Sequence, residues 1–169
     1  MPSGAEPPSA RSSGGDGPPP GEPPIGGVVP VLQTPFDAAG EIDEEALGAE
    51  VDWVVACGAD GMAVAMVSEI LRLDTSERRR LAGAVCALAA GRVPVVVSVG
   101  AESTRIAVAL AEHAESTGAA AVMAIPPISA ALPDAELEGY YDAIAAATRL
   151  PLVVQDASGY VGAPIPLAV

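Results

Sequence analysis

Residues 93–99 read Val93-Pro94-Val95-Val96-Val97-Ser98-Val99, and Gly100 follows at once. A β-branched run with almost no polar alternation is what a parallel strand covered on both faces requires. Comparable runs recur at residues 28–32, 61–66, 121–125 and 152–155. Their starts, near 28, 61, 93, 121 and 152, lie 33, 32, 28 and 31 residues apart. Between them stand alanine-rich segments with helical start and stop signals. Asp43 is placed to cap the first, where Leu47, Val51, Val54 and Val55 make an apolar stripe before Gly58. Asp74 and Glu77 form a D-x-x-E capping box for the second, which carries Leu81, Val85 and Leu88 and stops at Gly91. Ser103 or Thr104 opens the third, with Ile106 and Leu110 facing inward and Gly118 closing it. Pro133 and Asp134 open the fourth, where Leu137, Tyr141 and Ile144 repeat at helical spacing.

A nearly constant βα repeat predicts a (β/α)8 TIM barrel, here about its first five βα units, since eight units occupy about 250 residues. An open doubly wound parallel sheet is the alternative at this size, although no Gly-rich phosphate loop follows the first run. Residues 1–24 contain eight Pro, five Gly and four Ser, so they read as a disordered arm, and residues 25–169 as the folded part.

Composition narrows the chemistry. The chain of 169 residues has 22 Asp and Glu against 8 Arg and no Lys, a formal charge of −14. That balance repels phosphate backbones and argues against nucleic-acid binding. No amine nucleophile other than the amino terminus exists in these residues. Cys57 and Cys86 stand apart, with His113 the one histidine, too few ligands for a metal centre, so no metal is expected. Both cysteines, and Trp53, read as core residues. The apolar runs fall far short of the roughly 20 residues that span a bilayer, and no signal peptide is evident, which predicts a cytoplasmic protein.

In parallel α/β folds functional groups gather at the carboxyl ends of strands. That rule selects the stretches at residues 33–36, 66–69, 98–102, 126–129 and 155–160. Several pieces there and nearby resemble the dihydrodipicolinate synthase and N-acetylneuraminate lyase family, class I aldolase-type lyases on a TIM barrel. They are Thr34-Pro35-Phe36 with the D-x-x-G-x-I-D turn from Asp37 to Asp43, Ser68-Glu69 followed by Leu73 and Glu77-Arg78, Pro94-Val95 with Gly100, Pro126-Pro127, and Leu150-Pro151.

The resemblance implies a lyase or aldolase that binds a 2-oxo acid such as pyruvate as a Schiff base on a sixth-strand lysine, which would lie beyond Val169. It implies no separate cofactor, a small-molecule partner and a homo-oligomer at full length. Where the family carries G-T-T-G-E, this chain has Ala65-Met66-Val67-Ser68-Glu69, so Thr34, Met66, Val67 and Ser68 become the expected substrate-binding residues, chiefly through backbone N–H groups. The family tyrosine at the end of the fifth strand corresponds to Gln155 and the next residue to Asp156, the expected catalytic pair. Tyr160 falls near a family arginine and is either a ligand contact or a packing residue. Glu69, Pro126 and Pro127 are expected to support the site, Glu69 by accepting backbone hydrogen bonds. Asp156 either faces the cavity or caps a turn near Ser158. The run from Glu77 to Arg80 reads as a solvated helix start, His113 as a helix-face residue. A catalytically inert protein that binds a small ligand or pairs subunits is the competing reading.

Overall fold

The computed structural model describes residues 25–159 and 164–166. The arm read over residues 1–24 and Tyr160 lie outside the described residues. Four helices alternate with four strands: α1 (Glu44–Ala56), β1 (Met62–Val64), α2 (Thr75–Ala89), β2 (Val95–Ser98), α3 (Thr104–Ser116), β3 (Ala121–Ala124), α4 (Asp134–Ala146) and β4 (Leu152–Val154). A short 3-10 turn, Met66–Ser68, follows β1.

The caps behave as their chemistry dictates. The Asp43 carboxylate accepts the Glu45 and Ala46 N–H groups at the start of α1. Asp74 accepts from Ser76 and Glu77, and the Glu77 carboxylate returns a bond to the Asp74 N–H at 2.7 Å, completing the capping box of α2. Gly118, at φ +85°, lets the chain leave α3 in a left-handed conformation that a Cβ would strain.

All four strands are parallel and pair in sequence order, β1-β2-β3-β4. The expected first strand, residues 28–32, runs beside β1 but is reduced to one bridge, Val31 with Ala63. Pro30 explains the reduction. It has no N–H to give to the ladder, though its carbonyl accepts the Ala63 N–H at 2.9 Å, and Leu32 N–H donates to Ala63 O at 2.9 Å. The succession is therefore first segment, β1, β2, β3, β4, with no reversal of order. A doubly wound sheet requires such a reversal and helices on both faces. Here α1 packs on α2, α2 on α3 and α3 on α4 along the sheet, while α2, α3 and α4 also contact β2, β3 and β4. The chain has the barrel arrangement.

Strand alternation sorts the core into two layers. Met62, Val64, Val95, Val97 and Val122 face the helices and meet Leu47, Val51, Leu81, Val85, Leu110 and Ile144. Ala63, Val96 and Ala121 face the opposite, concave side, where Val29 and Met123 pack on them.

Three expectations fail for one reason. Trp53 is 67% exposed, Cys57 is exposed and Ile106 is 40% exposed. In α1 the buried stripe is Leu47, Val51 and Val54, and Trp53 lies about 200° around the helix from Val51 at 100° per residue. In α3 it is Ala107, Leu110, Ala111 and Ala114, which turns Ile106 outward. Cys86 is half-buried, near the Thr117 hydroxyl.

The junction before β4 is tied by Glu115 on α3. Its carboxylate accepts the Thr148 hydroxyl at 2.8 Å, the Arg149 N–H at 3.0 Å and the Arg149 guanidinium at 2.6 Å. The Thr148 hydroxyl, then Arg149, hold its pKa down to about 2 against an ordinary 4.5. A depressed carboxyl contributes stability that is complete above the unfolded value and disappears as pH falls through the folded one. We expect the tether to survive to about pH 4 and to be lost toward pH 2. Thermal melts of wild type and Glu115→Gln should therefore differ near neutrality and converge in strong acid. Curves that stay separated at pH 2 would refute it.

Candidate functional site at the strand ends

The chain leaves β1 through Ala65 into the Met66–Ser68 turn, and the turn is fixed by hydroxyls from two segments. Thr34 Oγ1 donates to Ser68 O at 2.6 Å. Ser68 Oγ donates to Leu32 O and accepts the Ala65 N–H at 3.1 Å, and Ser68 N–H donates to Ala65 O at 2.9 Å. Ser68 is 1% exposed. Thr34 and Ser68 thus meet, but their hydroxyls hold backbone. The Met66 and Val67 N–H groups stand at the head of the turn, where a helix has no acceptors of its own.

Glu69 follows at φ +61°. Its carboxylate pairs with Arg72, while its carbonyl accepts the Arg72 and Leu73 N–H groups. Among the described residues its carboxylate accepts no backbone N–H, in contrast to the expected role, and its contacts are the ion pair and its own backbone.

Just after β4, Gln155 N–H donates to Ala124 O at 2.9 Å, and its side-chain oxygen has no hydrogen-bond partner among the described residues. Asp156 is exposed and folds over the next turn, accepting Ser158 N–H at 2.8 Å. The Ser158 hydroxyl and N–H hold its carboxyl below the usual value. That is the turn-capping alternative. Among the described residues no hydrogen bond joins Gln155 or Asp156 to Thr34 or Ser68.

Between these ends lie residues that pattern reading missed. Arg78, placed on a solvated face by its neighbours Arg79 and Arg80, instead turns back from α2 and donates to Ser98 O at 3.2 Å and Gly100 O at 2.9 Å. Burial pushes its pKa down, and its Nε has no partner among the described residues. Glu102 accepts the Ile128 N–H at 2.8 Å and the Ser129 N–H at 3.2 Å. Burial raises its carboxyl and these amides more than offset it, so its pKa is lowered. Tyr140 places its hydroxyl between Ala101 N–H, at 3.0 Å, and Ile125 O, at 3.2 Å. Arg78, Glu102, Ile106, Ile125, Pro126 and Ser129 share the wall of a cleft of about 480 Å³. Pro127 lines a smaller one of about 60 Å³ with Pro126 and Leu137. No cluster of metal-ligating side chains occurs among the described residues.

The profile of the dihydrodipicolinate synthetase family matches residues 24–169 of this chain. The chain belongs to that family. Among its curated relatives, the 4-hydroxy-tetrahydrodipicolinate synthase of Agrobacterium fabrum (strain C58) is 35% identical over 129 residues, 76% of this chain and 44% of that one. The L-2-keto-3-deoxyarabonate dehydratase of Azospirillum brasilense is 36% identical over 135 residues, 78% and 44% of the two chains. A solved prophage protein of the dihydrodipicolinic acid synthase family from Escherichia coli K12, in complex with pyruvate, matches with a TM-score of 0.82 at 26% identity, over 84% of this chain and 48% of that one. The chain spans a little under half the length of the relatives it matches. Such neighbours are TIM barrels, and this chain corresponds to their amino-terminal portion. The strand order and the one-sided helix layer described above are what that family fold demands. Lyase chemistry is the common property at the family level.

Proposed function

We propose that this chain is the amino-terminal part of a dihydrodipicolinate synthetase family lyase that acts on a 2-oxo acid such as pyruvate through a Schiff base on a lysine lying beyond Val169. The observation that carries the reading is the match of its described strands and helices to a family member in complex with pyruvate. Support comes from the Met66–Ser68 turn, whose leading N–H groups stand at a strand end where a carboxylate would be held. The amine attacks the ketone carbon, water leaves, and the iminium withdraws electrons from the neighbouring carbon. Within this chain, Thr34 and Ser68 shape the turn, Met66 and Val67 bind, Gln155 orients the substrate, and Asp156 or water moves protons. Glu69, Pro126 and Pro127 hold the loops. No separate cofactor or metal takes part. The full-length protein works as a cytoplasmic homo-oligomer, for which exposed Val67, Leu71 and Ile106 offer apolar surface at this rim. No helix among the described residues is long and apolar enough to cross a membrane.

One observation favours a second reading, an inert ligand-binding or subunit-pairing protein. The Thr34 and Ser68 hydroxyls are spent on carbonyls inside the fold. Borohydride trapping with pyruvate separates the two. The 169-residue chain, having no lysine, is expected to give no adduct on an internal residue by intact mass. The full-length protein is expected to give one, on a lysine encoded downstream of residue 169. A reading frame without that lysine, or a full-length protein that traps nothing, would sink the lyase reading.

A further inference from the structure

Three polar side chains are buried among the described residues, Thr34, Ser68 and Ser98. The first two spend their hydroxyls on Ser68 O and Leu32 O. Ser98 differs. It is 5% exposed, and its carbonyl accepts from Arg78 at 3.2 Å, yet its hydroxyl has no hydrogen-bond partner among the described residues. It stands on β2, between β1 and β3, so the strands on both sides of it are described. The sealed polar atoms without a partner among the described residues are Arg78 Nε, Tyr141 Oη and Gln155 Oε1, so the Ser98 oxygen keeps a narrow opening.

The register shows where that opening faces. Ser98 follows Val96 by two residues and pairs with Met123, and both of these pack with Ala63 and Ala121 on the concave side. In a barrel that side is the interior. The paired residues of the four strands present Ala63, Val96, Ser98, Ala121, Met123 and Val153 there, so Ser98 brings the one hydroxyl of the row. Two residues on, toward the carboxyl end, Gly100 has no side chain to cover it, and a Cβ there would meet Ile125 N and O at 2.9 Å. Arg78, which also donates to Gly100 O at 2.9 Å, fixes this stretch of backbone from the helix side.

Addition of an amine to a ketone carbon leaves a positive nitrogen and a negative oxygen on that carbon. A proton must pass from the nitrogen to the oxygen before the oxygen can leave as water. A hydroxyl donates and accepts at once, so it can give its proton to the oxygen, take one from the nitrogen and end unchanged. We propose that the Ser98 hydroxyl is a catalytic group that makes this transfer in the adduct of the 2-oxo acid. This rests on the Schiff-base reading above and adds to it a residue from the barrel interior.

The test follows adduct formation over time in the full-length protein, mixed with pyruvate and quenched with borohydride. Ser98→Ala is expected to slow the adduct by about 100-fold, the lower end of what positioned acid-base help contributes. The half-saturating pyruvate concentration should stay where it is, since the contact matters only during the transfer. Ser98→Thr, which keeps the hydroxyl, should recover most of the rate. Thermal melts separate this from packing: Ser98→Ala loses no hydrogen bond of the fold and should melt no lower than wild type. An Ala variant that forms adduct at the wild-type rate overturns the proposal and leaves the 2-oxo acid site standing. So does a slow Ala variant that melts lower, or a Thr variant no faster than Ala. Failure of the wild type to trap pyruvate overturns both.

Discussion

Replacing Met66 with Thr and Gln155 with Tyr together is expected to raise the rate at which the full-length protein condenses pyruvate with aspartate semialdehyde by about 10²–10⁴-fold, the usual worth of positioned general acid-base help. Met66 opens the turn after β1 and Gln155 directly follows β4, both at the carboxyl end of the sheet. A thioether has no proton to pass, and a carboxamide does not titrate near neutrality. The wild-type pair can therefore hold a substrate without relaying protons between it and solvent. Ser68 and Thr34 do not compensate, because their hydroxyl protons already go to Leu32 O and Ser68 O. Each single replacement should recover much less than the pair, since a relay needs both members. Steady-state rates for the four proteins decide it. Rapid condensation by the unmodified protein, or no gain in the double variant when it still traps pyruvate, would show that protons travel by another route.

The largest effect on stability is expected at Tyr140. Its side chain is 2% exposed and packs edge-to-face on Tyr141, with ring centroids 5.2 Å apart. The ladder between β2 and β3 runs through Val99 N–H to Met123 O at 2.8 Å, and the next rung would join Ala101 to Ile125. The Tyr140 hydroxyl takes that rung, accepting from one strand end and donating to the other. Tyr140→Ala removes both the packing and the bridge and should cost about 3–5 kcal/mol. Tyr140→Phe keeps the ring and leaves a backbone N–H and a carbonyl without their partner, for about 1–3 kcal/mol. Urea midpoints at unchanged slope measure both. A Phe variant as stable as wild type would mean that the rung carries no weight. Tyr141 gives an internal contrast: its hydroxyl has no partner among the described residues, so Tyr141→Phe should cost little.

Much of the fold was legible because its signals are local. Asp43, Asp74 with Glu77, and the closing glycines specify helix ends through bonds that reach three or four residues, and the described helices begin and end there. The unbroken apolar runs marked parallel strands, and their spacing marked a βα repeat. Strand ends proved shorter than the runs, and residues 28–32 make a single bridge because Pro30 withholds a donor.

The candidate site was legible in a different degree. Its expected location came from the rule that strand carboxyl ends carry function, and Thr34 and Ser68 do touch there. What pattern could not convey was which atoms are free. Ser68 spends its hydroxyl within the fold, and Asp156 spends its carboxylate on Ser158. Arg78 reads like Arg79 and Arg80, yet it alone is brought close enough to bond to the end of β2, while Arg80 pairs with Glu44 at 2.9 Å.

By itself, the sequence determined the kind of element at most positions, the repeat that orders them, the acidic charge that repels nucleic acid, and the lack of any lysine amine in these residues. Tertiary structure alone decided that the strands lie in chain order with helices on one face, that Trp53 points to solvent, that Tyr140 closes the last rung between β2 and β3, and that the Gln155 oxygen finds no partner among the described residues. The division has a physical cause. Caps and periodicity act over one or two turns of chain, whereas strand order, burial and hydrogen-bond saturation depend on groups 15 to 39 residues apart, as the Ile125 and Ala101 partners of Tyr140 are.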